Sequence, residues 1–137
     1  MSQLRDLTRQ WLNYKGAVAP LLLSGADLAS LGAEIDFVCS WSLEQDLIHQ
    51  ADLTRCSPVK NTISIQKIRQ ILNKSSYAPL SQRKLIVIEE ADKLSRPAGN
   101  ALLKSLEDSH PATRFLLTTM FKRSILPTIL SRCQKLF

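Results

Sequence analysis

Two stretches of this chain are apolar without alternation, "APLLLSG" at 19–25 and "KLIVIEE" at 84–90. Runs this short, closed by a Ser-Gly turn or by acids, predict strands buried on both faces of a sheet. "TRFLLTT" at 113–119 predicts another strand. "ADLTRCS" at 51–57 alternates up to Pro58 and predicts a strand end, and "CQKLF" at 133–137 a last short strand. Between these runs the period is helical. Residues 2–14 put Leu4, Leu7, Trp11 and Leu12 on one face. Asp27 is placed to cap a helix from about 28 to 38, and a further helical stretch is expected around 42–50. Ser64 caps "IQKIRQILNKS", whose buried stripe is Ile65, Ile68, Ile71 and Leu72. Ser95 caps a helix to about Asp108, with Pro97 harmless in its first turn and Ala101, Leu102, Leu103 and Leu106 buried. "RSILPTILS" predicts one or two short helical turns around Pro127.

Strands that alternate with helices predict a parallel sheet covered on both faces, a three-layer α/β domain spanning 1–137 as one unit. Ligands of such sheets sit at the carboxyl ends of the strands. The acids after 84–88 and the threonines after 115–117 therefore share one edge. No internal repeat or low-complexity segment interrupts the pattern, and no apolar run approaches the ~20 residues of a membrane span. The amphipathic amino-terminal stretch lacks the apolar centre of an export signal.

Charge changes the picture more than composition does. The 45% of hydrophobic residues is ordinary for a globular protein. Residues 1–54 carry three bases and seven acids, net −4, while 55–137 carry fifteen bases and five acids, net +10, giving the whole chain its +6. A basic half suits an anionic partner such as nucleic acid, although bases spread this evenly also suit a solvated surface. Cys39, Cys56 and Cys133 are widely spaced with no C-x-x-C pair, so the expectation is reduced, buried thiols, no metal site and a cytoplasmic location.

A buried strand running into Glu89 and Glu90 resembles the way nucleotide hydrolases present carboxylates to Mg²⁺ and water. It needs a partner loop, rich in glycine, with a lysine and a Ser/Thr, after the first strand. That place reads "LLLSGADLASLGAEIDF". Gly25 and Gly32 are wrongly spaced, Ala33 and Glu34 stand where Lys and Ser/Thr should follow, and Asp27, Glu34 and Asp36 would repel phosphate. No lysine lies between Lys15 and Lys60. The phosphate loop (Walker A) is degenerate, and tight binding of ATP by this chain is not expected.

Three blocks in fixed order, "IEEADKLS", "NALLKSLED" and "ILSRCQKLF", resemble the AAA+ domain of bacterial clamp-loader subunits of DNA polymerase III, of the delta-prime type with the gamma/tau type close behind. The likeness runs from about residue 49 onward, and "HQADLTRC" is similar to the family's His-Pro-Asp stretch with an altered middle. It implies a five-stranded parallel AAA+ (P-loop NTPase-like) core. The family's zinc module is missing from the first third, and its lid and collar domains lie beyond the sequence given. "Ser131-Arg132-Cys133" resembles the family's SRC motif, which implies that Arg132 acts as an arginine finger on a neighbour's ATP and Mg²⁺, flanked by Ser131 and Cys133. Glu89 and Glu90 fall at the Walker B positions and Thr118 and Thr119 at sensor 1. Without a phosphate loop these are expected to be structural groups at strand ends. The "NALLKSLED" helix resembles the family's segment beside primer-template DNA, which makes Lys93, Arg96 and Lys104 candidate phosphate contacts, with Lys122 and Arg123, after the fourth strand, the next candidates.

The resemblance thus implies a delta-prime-like component that hydrolyses nothing itself, works with gamma/tau-type and delta-type subunits, and meets the sliding clamp and primer-template DNA in DNA replication. Holoenzyme membership would place it under DNA-directed DNA polymerase without chemistry of its own. Two rival readings stay open: a free-standing basic module that binds protein or nucleic acid, and a divergent ATPase with an unconventional loop.

Overall fold

The computed structural model describes residues 2–73 and 77–136. Five strands form one parallel sheet: β1 (Leu21–Ser24), β2 (Leu53–Cys56), β3 (Lys84–Ile88), β4 (Thr113–Thr119) and β5 (Gln134–Leu136), in the order β2-β3-β4-β1-β5. Alternation along each strand divides two cores. Leu21, Leu23, Leu85, Val87 and Leu116 face one layer with Trp11, Leu12, Ile35 and Val38. Leu22, Ile86, Ile88, Phe115 and Leu117 face the other with Ile68, Ile71, Leu102 and Ile129. The non-alternating runs arise because both faces are covered.

The first layer is α1 (Ser2–Asn13) and α2 (Leu28–Glu44); the second is α3 (Ile65–Leu72), α4 (Arg96–Asp108) and α5 (Pro127–Leu130). Side chains cap three of the helices as read from the sequence: Asp27 on Ser30 N, Ser64 on Lys67 N and Ser95 on Ala98 N. Leu102 is fully buried, with Ala101, Leu103 and Leu106 packed half-buried against the same core. Ile65 and Leu72 likewise sit at the margin of the α3 stripe. The proposed turn of α3 at 74–75 lies outside the described residues.

Two expectations are corrected. The separate helix at 42–50 does not exist: α2 continues to Glu44, and Asp46 then turns the chain with φ 55° before a 3₁₀ turn at Gln50–Asp52. Apolar residues on most sides of α2 blurred its period, and Ser42, which donates to Val38 O, is buried inside it. Leu7 is not buried either; it is 39% exposed, because α1 rests on α2 through Leu4, Trp11 and Leu12.

One clamp holds α1 to the sheet. Arg114, the second residue of buried β4, is inaccessible to solvent and donates to four backbone carbonyls, those of Trp11, Tyr14, Gly16 and Pro111. Arg83 adds bonds to the carbonyls of Leu12, Asn13 and Tyr14. The carbonyls of Trp11, Leu12 and Asn13 are orphan acceptors at the end of α1, where cations are favoured by the helix dipole. Burial, with Arg83 nearby, lowers the Arg114 pKa to about 10. All three cysteines are buried and none is paired; burial raises their thiol pKa values, that of Cys133 to about 11.

Candidate functional site

At the carboxyl edge of the sheet, β1 and β4 lie side by side with Ser24 opposite Thr119, and Gly25 N donates to Thr119 O. This is where an α/β sheet holds a nucleotide. The N-terminus of α2 opens onto it, a favourable seat for an anion. The chain's own carboxylate fills that seat: Asp27 accepts from Ser30 N at 2.7 Å and from Ser30 Oγ at 3.0 Å. The backbone bond and then the hydroxyl of Ser30 lower the Asp27 pKa. Leu31 closes over Gly25 so tightly that a Cβ there would lie 2.9 Å from Leu31 Cδ2.

Across the edge, Glu89 is engaged by Arg55 of β2, which bridges Asp36 of α2 at 2.9 Å and Glu89 at 3.4 Å. Burial works against the Arg55 charge, but the bonds to the two carboxylates outweigh it and raise its pKa. Glu90 adopts a left-handed backbone, φ 54°, and its N–H donates to Thr118 Oγ1. Thr119 Oγ1 donates to the largely buried Asp92 at 2.6 Å and accepts from Phe121 N at 2.9 Å. Both threonine hydroxyls are thus occupied within the protein, and both residues are buried.

Arg132 sits elsewhere. It precedes β5, whose Gln134 pairs with Leu21 at the start of β1, so it lies at the opposite end of the sheet from Ser24 and Thr119. The strand rise puts these ends roughly 10 Å apart along the sheet. Its backbone is fixed by Arg132 N→Ile129 O at 3.0 Å and by the buried Cys133, while Ser131 Oγ donates to Thr128 O. The side chain is half-exposed, and Nη2 lies 2.6 Å from Glu107 Oε1 at the end of α4.

Of the five bases, Lys93, Arg96, Lys122 and Arg123 gather at the carboxyl edge, in or beside the turns after β3 and β4, and Lys104 lies further along α4. Arg96, Lys104 and Arg123 are exposed. Lys93 lies 3.9 Å from Asp92 and 5.8 Å from the Phe121 ring centre. Sequence reasoning missed Arg55 and Glu107. Arg55 stands in an alternating strand with no spacing that ties it to Asp36 or Glu89, and Glu107 lay inside a block read for its leucines. Opposite charge was the only available signal for either.

Residues 32–137 match the family model described as DNA polymerase III, delta subunit. The chain belongs to this clamp-loader family. Among curated members, the chain is 36% identical over 85 residues to DNA polymerase III subunit delta' of Haemophilus influenzae, covering 61% of this chain and 26% of that protein. It is 34% identical over 121 residues to subunit tau of Escherichia coli K12, covering 87% of this chain and 19% of that protein. It therefore spans about a fifth to a quarter of these two relatives. A DNA polymerase III gamma subunit-related protein from Thermotoga maritima superposes with TM-score 0.84 at 27% identity, over 98% of this chain and 45% of that one. A RuvB variant from the same organism, at 14% identity and TM-score 0.67 over 98% of this chain and 42% of that one, shares the AAA+ fold. Among the described residues, no helix is long and apolar enough to cross a membrane, and no group of His, Cys, Asp and Glu could hold a metal ion.

Proposed function

We propose that this chain is a non-hydrolysing, delta-prime-like component of the DNA polymerase III clamp loader, serving DNA replication by presenting Arg132 to the ATP of an adjacent gamma/tau-type subunit. The observation that carries this reading is the position of Arg132: half-exposed, anchored through Cys133, and at the end of the sheet away from the chain's own nucleotide edge. A guanidinium there has no phosphate of its own to serve. Offered across an interface, its fixed fork of donors matches the oxygens of a γ-phosphate and stabilises the charge that develops there.

The residues at the chain's own edge do not fit ATP. Asp27 takes the helix seat a phosphate would need, Leu31 crowds the turn, Arg55 neutralises Glu89, and the threonines are bonded internally. This argues against the divergent ATPase. Exposed Arg96, Lys104 and Arg123 support weak, salt-dependent contact with primer-template DNA phosphates during clamp loading.

The test mixes the chain with a gamma-type ATPase subunit and measures association and ATP turnover, with Arg132→Ala as comparison. The expected result is association by both forms and stimulation by the parent alone. Arginine fingers in other NTPases are worth about 10³–10⁵ in rate. If neither form associates or changes turnover, the trans role is wrong.

A further inference from the structure

An arginine that acts across an interface must reach it in one orientation, and a long, half-exposed side chain loses rotamer freedom in doing so. Here the fold supplies a partner. Gly99 of α4 allows α5 to approach so closely that a Cβ would lie 2.4 Å from Leu126 Cδ1 and 3.7 Å from Ile129 Cδ1. That approach brings the end of α4 beside the turn after α5, and Glu107 Oε1 meets Arg132 Nη2 at 2.6 Å. Both side chains are about half-exposed, at 49% and 45%, so the pair adds little to stability. What it fixes is direction. One carboxylate oxygen engages one nitrogen of the guanidinium, which has five N–H donors to offer in all.

We propose that Glu107 is a positioning residue for Arg132, holding the guanidinium from the amino end of β5 in the orientation in which it meets the terminal phosphate of a neighbouring subunit's nucleotide. This rests on the trans role proposed above. Glu107 acts through Arg132 and not on the nucleotide itself.

The experiment measures steady-state ATP turnover of a gamma-type subunit assembled with the parent chain, Glu107→Gln, Glu107→Asp, Arg132→Ala and the Glu107→Gln/Arg132→Ala double variant. Glu107→Gln is expected to lower kcat about fivefold, equal to about 1 kcal/mol of barrier, with KM for ATP unchanged and the urea midpoint of the isolated chain unmoved. Glu107→Asp should recover part of the loss. In the Arg132→Ala background Glu107→Gln should have no further effect. If Arg132→Ala abolishes stimulation while Glu107→Gln leaves it equal or raises it, the positioning role is overturned and the finger stands. Further loss from Glu107→Gln in the Arg132→Ala background also overturns it. If Arg132→Ala itself changes nothing, the trans reading fails and the positioning role with it.

Discussion

Replacing Arg114 by methionine keeps most of the buried volume of β4 and removes the charge. Arg114 makes four bonds to carbonyls and, among the described residues, has no carboxylate beside it. A bond from a charged donor is worth about 1.5–3 kcal/mol, so four set a gross loss of roughly 6–12 kcal/mol. Against this stands the cost of burying the cation. A pKa lowered from 12.5 to about 10 corresponds to about 3 kcal/mol, at about 1.4 kcal/mol per unit. The residues carrying two of the carbonyls, Tyr14 and Gly16, are exposed, so water can replace part of what is lost. The net expectation for Arg114→Met is a loss of about 3–5 kcal/mol, a large part of a small domain's stability. Equilibrium urea unfolding, followed by far-UV circular dichroism and tryptophan fluorescence, reads it directly. Arg114→Lys should fall between, since three donors on a compact head cannot span four carbonyls. Buried ions can also be replaced by apolar residues with gain. A methionine variant as stable as the parent, or more so, would refute the carbonyl clamp.

Gly99→Ala places a Cβ 2.4 Å from Leu126 Cδ1, the end of a half-buried side chain that can turn aside, so the repacking cost should roughly offset alanine's gain of about 1 kcal/mol in helix propensity; a loss of more than about 2 kcal/mol in urea unfolding would contradict this. Asp52 accepts from Leu80 N, Ser81 N and Ser81 Oγ; burial pushes its pKa up, but these bonds outweigh it and lower the value below 3.8. The folded state therefore binds the proton less readily than the unfolded chain, and the stabilisation is present above pH 4 and lost as the pH falls through the folded value. Asp52→Asn should cost about 1–3 kcal/mol at pH 7, and its deficit against the parent should shrink at pH 3. The Cys133 thiol has the opposite sign: raised from 9.0 to about 11 by burial, it is protonated in the folded state where the unfolded thiol has ionised. Stability should fall as the pH rises between about 9 and 11, and Cys133→Ala should flatten that fall even if it starts lower.

The sheet was legible because burial on both faces leaves an unbroken apolar run, as in Leu21–Leu23 and Leu85–Ile88, and because Ser64 and Ser95 mark helix starts with a mechanism. The extension of α2 was not, since apolar residues off its buried face, such as Leu28, Ala29 and Ala33, blur the period. The candidate site was half legible. Strand ends place Glu89, Glu90, Thr118 and Thr119 on one edge by rule. What those groups touch depends on contacts between distant residues: Arg55 reaches Asp36 and Glu89 across 19 and 34 positions. Arg114 shows the same limit. The run "TRFLLTT" reads as a strand, but only the assembled fold reveals that its arginine points at the end of a helix a hundred residues upstream.

That separation bears on how the protein is made. Residues 11–16 leave the ribosome well before the arginine that holds them, with 103 positions between Trp11 and Arg114 and 100 between Tyr14 and Arg114. At about 5–20 residues per second, the first helix waits roughly 5–20 s for its clamp. Until then the carbonyls at the helix end lack Arg114 as a donor. The amino terminus is thus born first and secured late.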